Sequence, residues 1–168
     1  MPSKKFIRAA LILSLIVINI GCDQVTKSIV RQRVMPYANI SLLDQHLVIT
    51  KVENTGAFLS AGNFLPGFLR YIILSLLPLA AILYGLFYVL TRHNLSAAMI
   101  TGLSFIIGGG IGNIFDRMLH GSVTDFLHIR FGPLQTGIFN MADVSIMTGT
   151  AIILLHWLFR KKEPANPN

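Results

Sequence analysis

Carboxylates and amides gather at a few positions of an otherwise apolar sequence, and their spacing limits the chemistry open to them. Asp23 and Lys27 stand four residues apart, so on a helix they share a face. Asn113, Asp116 and Arg117 share one at spacings of three and four, and Asn140 and Asp143 at three. Asp125 lies between those two groups. Two carboxylates brought close together repel, so one keeps a proton while the other is ionised. Such a couple can take a proton from water and return one to a leaving amine, which is what amide hydrolysis requires. Spacing also admits a second reading. Asp23 with Lys27, and Asp116 with Arg117, read equally as ion pairs holding helix ends, because a buried charge is tolerated chiefly when paired. Asn113 and Asn140 read as groups that hydrogen-bond across helices and support a site.

Other chemistries find little support. Cys22 is the only cysteine, so neither an internal disulfide nor a cysteine metal site is expected. His46, His93, His120, His128 and His156 show no metal-ligand spacing, and no metal or organic cofactor is expected. Ser104 and Ser122 lack a nucleophile-elbow context. The run Gly108-Gly109-Gly110-Ile111-Gly112 ends an apolar stretch instead of opening a helix after a strand, so it reads as close helix packing and not as phosphate binding.

The elements that must position these groups follow from the composition. Apolar residues make up 53% of the chain and charged ones only 12%, against about 25% in soluble domains. That is too few charges for a water-facing surface, and the chain reads as a membrane protein. The net charge of +7 does not indicate nucleic acid, since basic residues are scattered and several sit at the ends of apolar runs, where they anchor helices.

Three runs read directly as spans or nearly so: Tyr71–Thr91 with Pro78 inside as a kink, Leu95–Phe115, and Val144–Phe159, which must begin near Phe139 to cross. Ala9–Cys22 is shorter than the roughly 20 residues a span needs, so its helix must continue to about Val30 with Asp23 and Lys27 at membrane depth. Read alone, that first run resembles a signal peptide, but the later spans exclude a secreted soluble domain. Spans are expected at 8–30, 70–91, 95–116 and 139–159, within a single domain covering 1–168. The segment His46–Val52 is β-prone and is followed by the turn signal Asn54-Thr55-Gly56. The fold class is therefore an all-α integral membrane protein, with four transmembrane helices and a small extracytoplasmic β-sheet subdomain.

Both tails and the Arg92 turn are short and basic, which places them in the cytoplasm by the positive-inside rule. Segments 31–68 and 117–138 then lie outside. Six of the seven acidic residues fall at the outer side, only Glu163 does not, and the tail from Glu163 to Asn168 reads as disordered. Ionisable groups at membrane depth are expensive and usually mark function.

With these residues in view, the sequence resembles the lipoprotein signal peptidase (signal peptidase II) family over nearly its whole length. The blocks that carry the resemblance are Asp23-Gln24-Val25-Thr26-Lys27, Asn54-Thr55-Gly56-Ala57, Gly108 through Arg117, Val123-Thr124-Asp125-Phe126 and Phe139-Asn140-Met141-Ala142-Asp143. Each is weak alone; five in order on a four-span frame are specific.

The resemblance implies that Asp125 and Asp143 are catalytic aspartates of a membrane aspartic endopeptidase. It implies that Asp23, Lys27, Asn54, Gly56, Asn113, Arg117 and Asn140 bind substrate or support the site. The expected partner is a prolipoprotein bearing a diacylglyceryl-cysteine, cut just before that cysteine at the bacterial inner membrane. Membrane lipid and a globomycin-type inhibitor at the same site complete the expected partners. Two departures from the family pattern stand out: Ala57 is followed directly by Phe58 and Leu59, and Gly110 stands where alanine is common. A small proton-coupled transporter or channel is the competing class. Its polar groups belong near mid-membrane, whereas the centres of spans two and four are almost purely apolar.

Overall fold

The computed structural model describes residues 3–56 and 66–159. The Ala57-Phe58-Leu59 departure, the basic Arg160, Lys161 and Lys162, and the tail from Glu163 lie outside the described residues. Among the described residues, four helices are long and apolar enough to cross a membrane: α1 (Lys4–Arg33), α2 (Gly67–Thr91), α3 (Ala97–His120) and α4 (Met141–Phe159).

Helix α1 starts earlier than its apolar run suggests, because the Ser3 hydroxyl caps it by accepting from the Phe6 N–H. Its buried residues are Ile12, Ile16, Asn19, Asp23, Lys27 and Val30, a single stripe at steps of three and four. The apolar half of that stripe packs with Val89 and Ile107. The polar half continues the same face toward the C-terminal end of α1, so the helix does run on through Asp23 and Lys27.

In α2 the proline is accommodated without breaking the helix. A five-residue π-type turn, Ile72–Leu76, precedes Pro78, which sits in the first turn of the segment Leu77–Thr91. The wider turn relieves the missing N–H and the clash of the ring with the preceding turn.

Helix α3 is the hub, and its glycines let three neighbours approach. A Cβ on Gly108 would meet α1, one on Gly110 the Ile82 side chain of α2, and one on Gly109 the Ala142 carbonyl of α4. At Gly112 an added Cβ would come within 2.5 Å of the Asp23 carboxylate, so this glycine makes room for a polar group.

A four-stranded antiparallel sheet covers one end of the bundle. Its strands are β1 (Ile40–Leu42), β2 (Leu47–Asn54), β3 (Val123–Phe131) and β4 (Leu134–Gln135), in that spatial order. The β-prone segment thus forms β2, two residues longer at its far end than expected. The strand β3 is an addition to the expected picture: residues 117–138 read only as a connection, yet they hold a nine-residue strand whose first four residues are buried. The β2–β3 register shifts between Ile49 and Val52, a bulge near the site. Phe126 on β3 packs with Val30 of α1 and with Val34 just beyond its end, which fixes the sheet to the bundle.

Candidate active site

Two polar clusters meet at the end of the bundle that carries the sheet. The first centres on Lys27, which is fully buried. Its ammonium lies 2.8 Å from Asp23 Oδ2 and 3.0 Å from Asp116 Oδ2, and donates to Asn113 Oδ1 at 3.0 Å. Asp23 also accepts from the Ala142 N–H, and Gln24 bridges Asp23 and Asp116. The 2.9 Å contact of Arg31 with Asp116 adds a second cation to the two buried carboxylates. A buried charge left without a partner costs several kcal/mol, so these groups stand or fall together.

This corrects one expectation. Asp116 pairs with Lys27 and Arg31, not with Arg117. Adjacent residues on a helix point about 100° apart, so Asp116 turns inward while Arg117 turns to the sheet. There Arg117 donates to the Gly56 carbonyl at 2.9 Å and ties α3 to the end of β2.

The second cluster holds Asp125 and Asp143. The residue Asn140 precedes α4, and its side-chain oxygen accepts from the Asp143 N–H at 3.0 Å while Asp143 Oδ2 accepts from the Asn140 N–H at 3.1 Å. This is a capping box, with Asp143 in the position usually held by glutamate. The Asn140 amide donates in turn to Asp125 Oδ1 at 2.7 Å and to Asn113 Oδ1 at 3.1 Å. Asn113 donates to Asp143 Oδ1 at 2.9 Å. Asn54, the diagonal neighbour of Asp125 across the β2–β3 pair, donates to Asp125 Oδ2 at 3.0 Å, and its own oxygen accepts from the Gly56 N–H.

Each aspartate therefore accepts an N–H donor at each oxygen, and Asn140 touches both. Asp125 is only 4% exposed. Burial, partly offset by the Asn54 and Asn140 hydrogen bonds and reinforced by the charge of Asp143, pushes its carboxyl up to about 6.

Both aspartates line a cavity of about 190 Å³ together with Asn54, Asn113, Arg117 and Asn140. Its apolar wall includes Leu74 and Pro78, so the π-type turn of α2 faces the carboxylates. Of the nine residues named from the sequence, six line this cavity. Asp23 and Lys27 support it from behind through Asn113, and Gly56 supports it through Arg117 and Asn54.

Several supporting residues were missed. Arg31 is one further step of four along the face of Asp23 and Lys27, a signal the spacing did contain. It donates to Thr124 Oγ1, which donates to Glu53, as does Ser122. Asn19 and Ser145 bond each other between α1 and α4. Leu74 and Pro78 carried no signal, because nothing in an apolar run says which turn faces a cavity.

Four spanning helices, a small sheet at one end and carboxylates gathered beneath it define a multi-pass membrane protein with a polar site at that end of the bundle. The family model described as Signal peptidase (SPase) II matches residues 15–159, and the chain belongs to that family of bacterial membrane proteases. A lipoprotein signal peptidase of Paraburkholderia phymatum is 35% identical over 148 residues, covering 88% of this chain and 87% of its own. The corresponding proteins of Bacillus subtilis and Streptococcus pneumoniae are 31% and 29% identical, covering 86% and 96% of this chain and 93% and 99% of their own. A bacterial membrane enzyme solved by the in meso method at 2.3 Å has the same fold, with a TM-score of 0.80 at 24% identity over 94% of this chain and 95% of its own. These likenesses do not favour the transport alternative.

Proposed function

We propose that the protein removes signal peptides from bacterial prolipoproteins as an aspartic endopeptidase, with Asp125 and Asp143 as one catalytic unit. The observation that carries this reading is the Asn140 bridge, which holds both carboxylates on one cavity. Asp125, buried and shifted upward, carries the shared proton and donates to the scissile carbonyl. Asp143, at the positive end of α4, takes a proton from the attacking water. As the tetrahedral intermediate collapses, a proton passes to the leaving amine. Asn113, Asn140 and Asn54 hold the carboxylates so that little reorganisation is needed during the reaction.

The substrate is a prolipoprotein whose cysteine bears diacylglycerol, cut just before that cysteine. Supporting this, Leu74 and Pro78 give the cavity an apolar wall on α2, against which an acylated residue can pack. Globomycin-type peptides compete for the same cavity. Both tails lie in the cytoplasm, and the site lies on the extracytoplasmic side, as the short basic segments favour. The test is cleavage by the purified protein of a diacylglyceryl-modified prolipoprotein beside its unlipidated form. Turnover of the lipidated form alone is expected, and equal turnover of both forms refutes the lipid requirement.

A further inference from the structure

A cleft of about 450 Å³ opens between α1 and α3 at the end of the bundle away from the aspartates. Its walls are Ile7, Leu11, Leu15 and Ile100, and Lys4 and Arg8 stand at its mouth. Leu11 and Ile7 are 62% and 46% exposed, so the cleft faces the bilayer and not the protein interior. The guanidinium of Arg8 is fixed in place, donating to the carbonyls of Val89 at 2.8 Å and Arg92 at 2.7 Å at the end of α2. Its Nε is shielded from solvent and has no partner among the described residues. Neither Lys4 nor Arg8 meets a carboxylate among the described residues, and this end carries Lys4, Lys5, Arg8 and Arg92 with no described acidic residue.

We propose that this cleft binds one anionic phospholipid of the surrounding bilayer, with an acyl chain along Ile7, Leu11, Leu15 and Ile100 and its phosphate between Lys4 and Arg8. An apolar cleft between spanning helices cannot be left to water, because hydrocarbon is the solvent there. Basic pockets between helices near a membrane surface select anionic headgroups. A zwitterionic lipid fills the same walls, but its ammonium offsets the charge match.

The experiment is native mass spectrometry of the full chain in detergent, titrated with dioleoyl phosphatidylglycerol or dioleoyl phosphatidylcholine. One equivalent of phosphatidylglycerol is expected to be retained, about tenfold tighter than phosphatidylcholine. Lys4→Gln is expected to weaken phosphatidylglycerol about fivefold, the factor that one basic residue near a membrane phosphate provides. Thr101 of α3 also lines the cleft, so Thr101→Trp fills it and is expected to remove the adduct while leaving prolipoprotein cleavage unchanged. Equal affinity for the two lipids overturns the proposal, as does an unaltered adduct in Thr101→Trp. A dimer that disappears in Thr101→Trp would assign the cleft to a second copy and overturn it too. Should Thr101→Trp fail to fold, the exposed Lys4→Gln decides alone, and an unchanged affinity there refutes the phosphate contact.

Discussion

Asn140 and Asp143 hydrogen-bond each other twice across the first turn of α4, each backbone N–H meeting the other's side-chain oxygen at 3.0–3.1 Å. One turn of helix thus serves both as a structural cap and as half of the candidate dyad. Asp143→Asn keeps a side-chain oxygen for the cap, so folding is expected to survive. Asp125→Asn is equally conservative in shape. Each single variant is expected to lose nearly all cleavage of a lipidated prolipoprotein, and the double variant to be hardly worse than either, because residues that act as a unit are not additive. Rates at matched folded amounts check this; substantial turnover by either single variant removes that residue from the dyad.

The pH dependence follows from the upward shift of Asp125. Its protonated form is the active one, so kcat/KM is expected to fall as pH rises through about 6 in the free enzyme. The Asn54 amide bonds the charged form of Asp125 and holds the shift down. Asn54→Ala is therefore expected to move the falling limb to higher pH, with a lower maximal rate. A limb that moves down or stays in place, in profiles of wild type and variant, contradicts the assignment of the proton to Asp125.

Lys27 serves two buried carboxylates at once, so its loss should be worse than the loss of either acid. Lys27→Met is expected to cost roughly 3–5 kcal/mol, the range for stranding a buried charge. Asp23→Asn combined with Lys27→Met is expected to be milder than the sum of the two, with Asp116 still held by Arg31 at 2.9 Å. Thermal unfolding of the four proteins in one detergent gives the cycle, and strict additivity would mean that the two residues do not couple.

Two neighbouring glycines should respond differently to the same change. Gly110→Ala pushes only the flexible end of Ile82 and is expected to fold and cleave nearly normally. Gly112→Ala drives a methyl against the Asp23 carboxylate and Ala142, and is expected to lower both stability and cleavage. Melting temperature and turnover of each variant test the contrast.

The proposed sidedness is checked with single cysteines in a Cys22→Ser background. Ser41→Cys, on β1, is expected to react with an impermeant thiol reagent on intact spheroplasts, whereas Asn94→Cys, in the turn between α2 and α3, is expected to stay protected until the membrane is opened. Labelling of Asn94→Cys alone would invert the topology.

The parts of the molecule that follow one repeating rule were legible in the sequence. Uncharged runs gave the four spans, and the step of four from Asp23 to Lys27 gave a contact that the structure places at 2.8 Å. The three- and four-residue steps at Asn113 and Asn140 marked faces that do meet across α3 and α4. The strand β3 was not legible. Its stretch Val123–Phe126 is buried on both faces, so it lacks the alternation that reveals a half-exposed strand. Only the Asp116–Arg117 pairing fails, because a helix turns adjacent residues about 100° apart; Arg117 itself lines the cavity. The lining by Leu74 depends on one widened turn, whose cause, Pro78, lies four residues downstream.

Between the last residue of α3 and the first of β3 stand only Gly121 and Ser122. Gly121 takes a left-handed conformation, φ +71°, that closes the helix and launches the strand in one step. The chain therefore has no slack where it passes from membrane to sheet. Inserting one residue there would carry every side chain of β3 to its opposite side, bringing Thr124 to the place of Asp125. Deleting one would bring Phe126 there instead. Either variant would retain four spans and insert into the bilayer, yet would have lost its carboxylate. Length at this junction is thus constrained as tightly as residue identity.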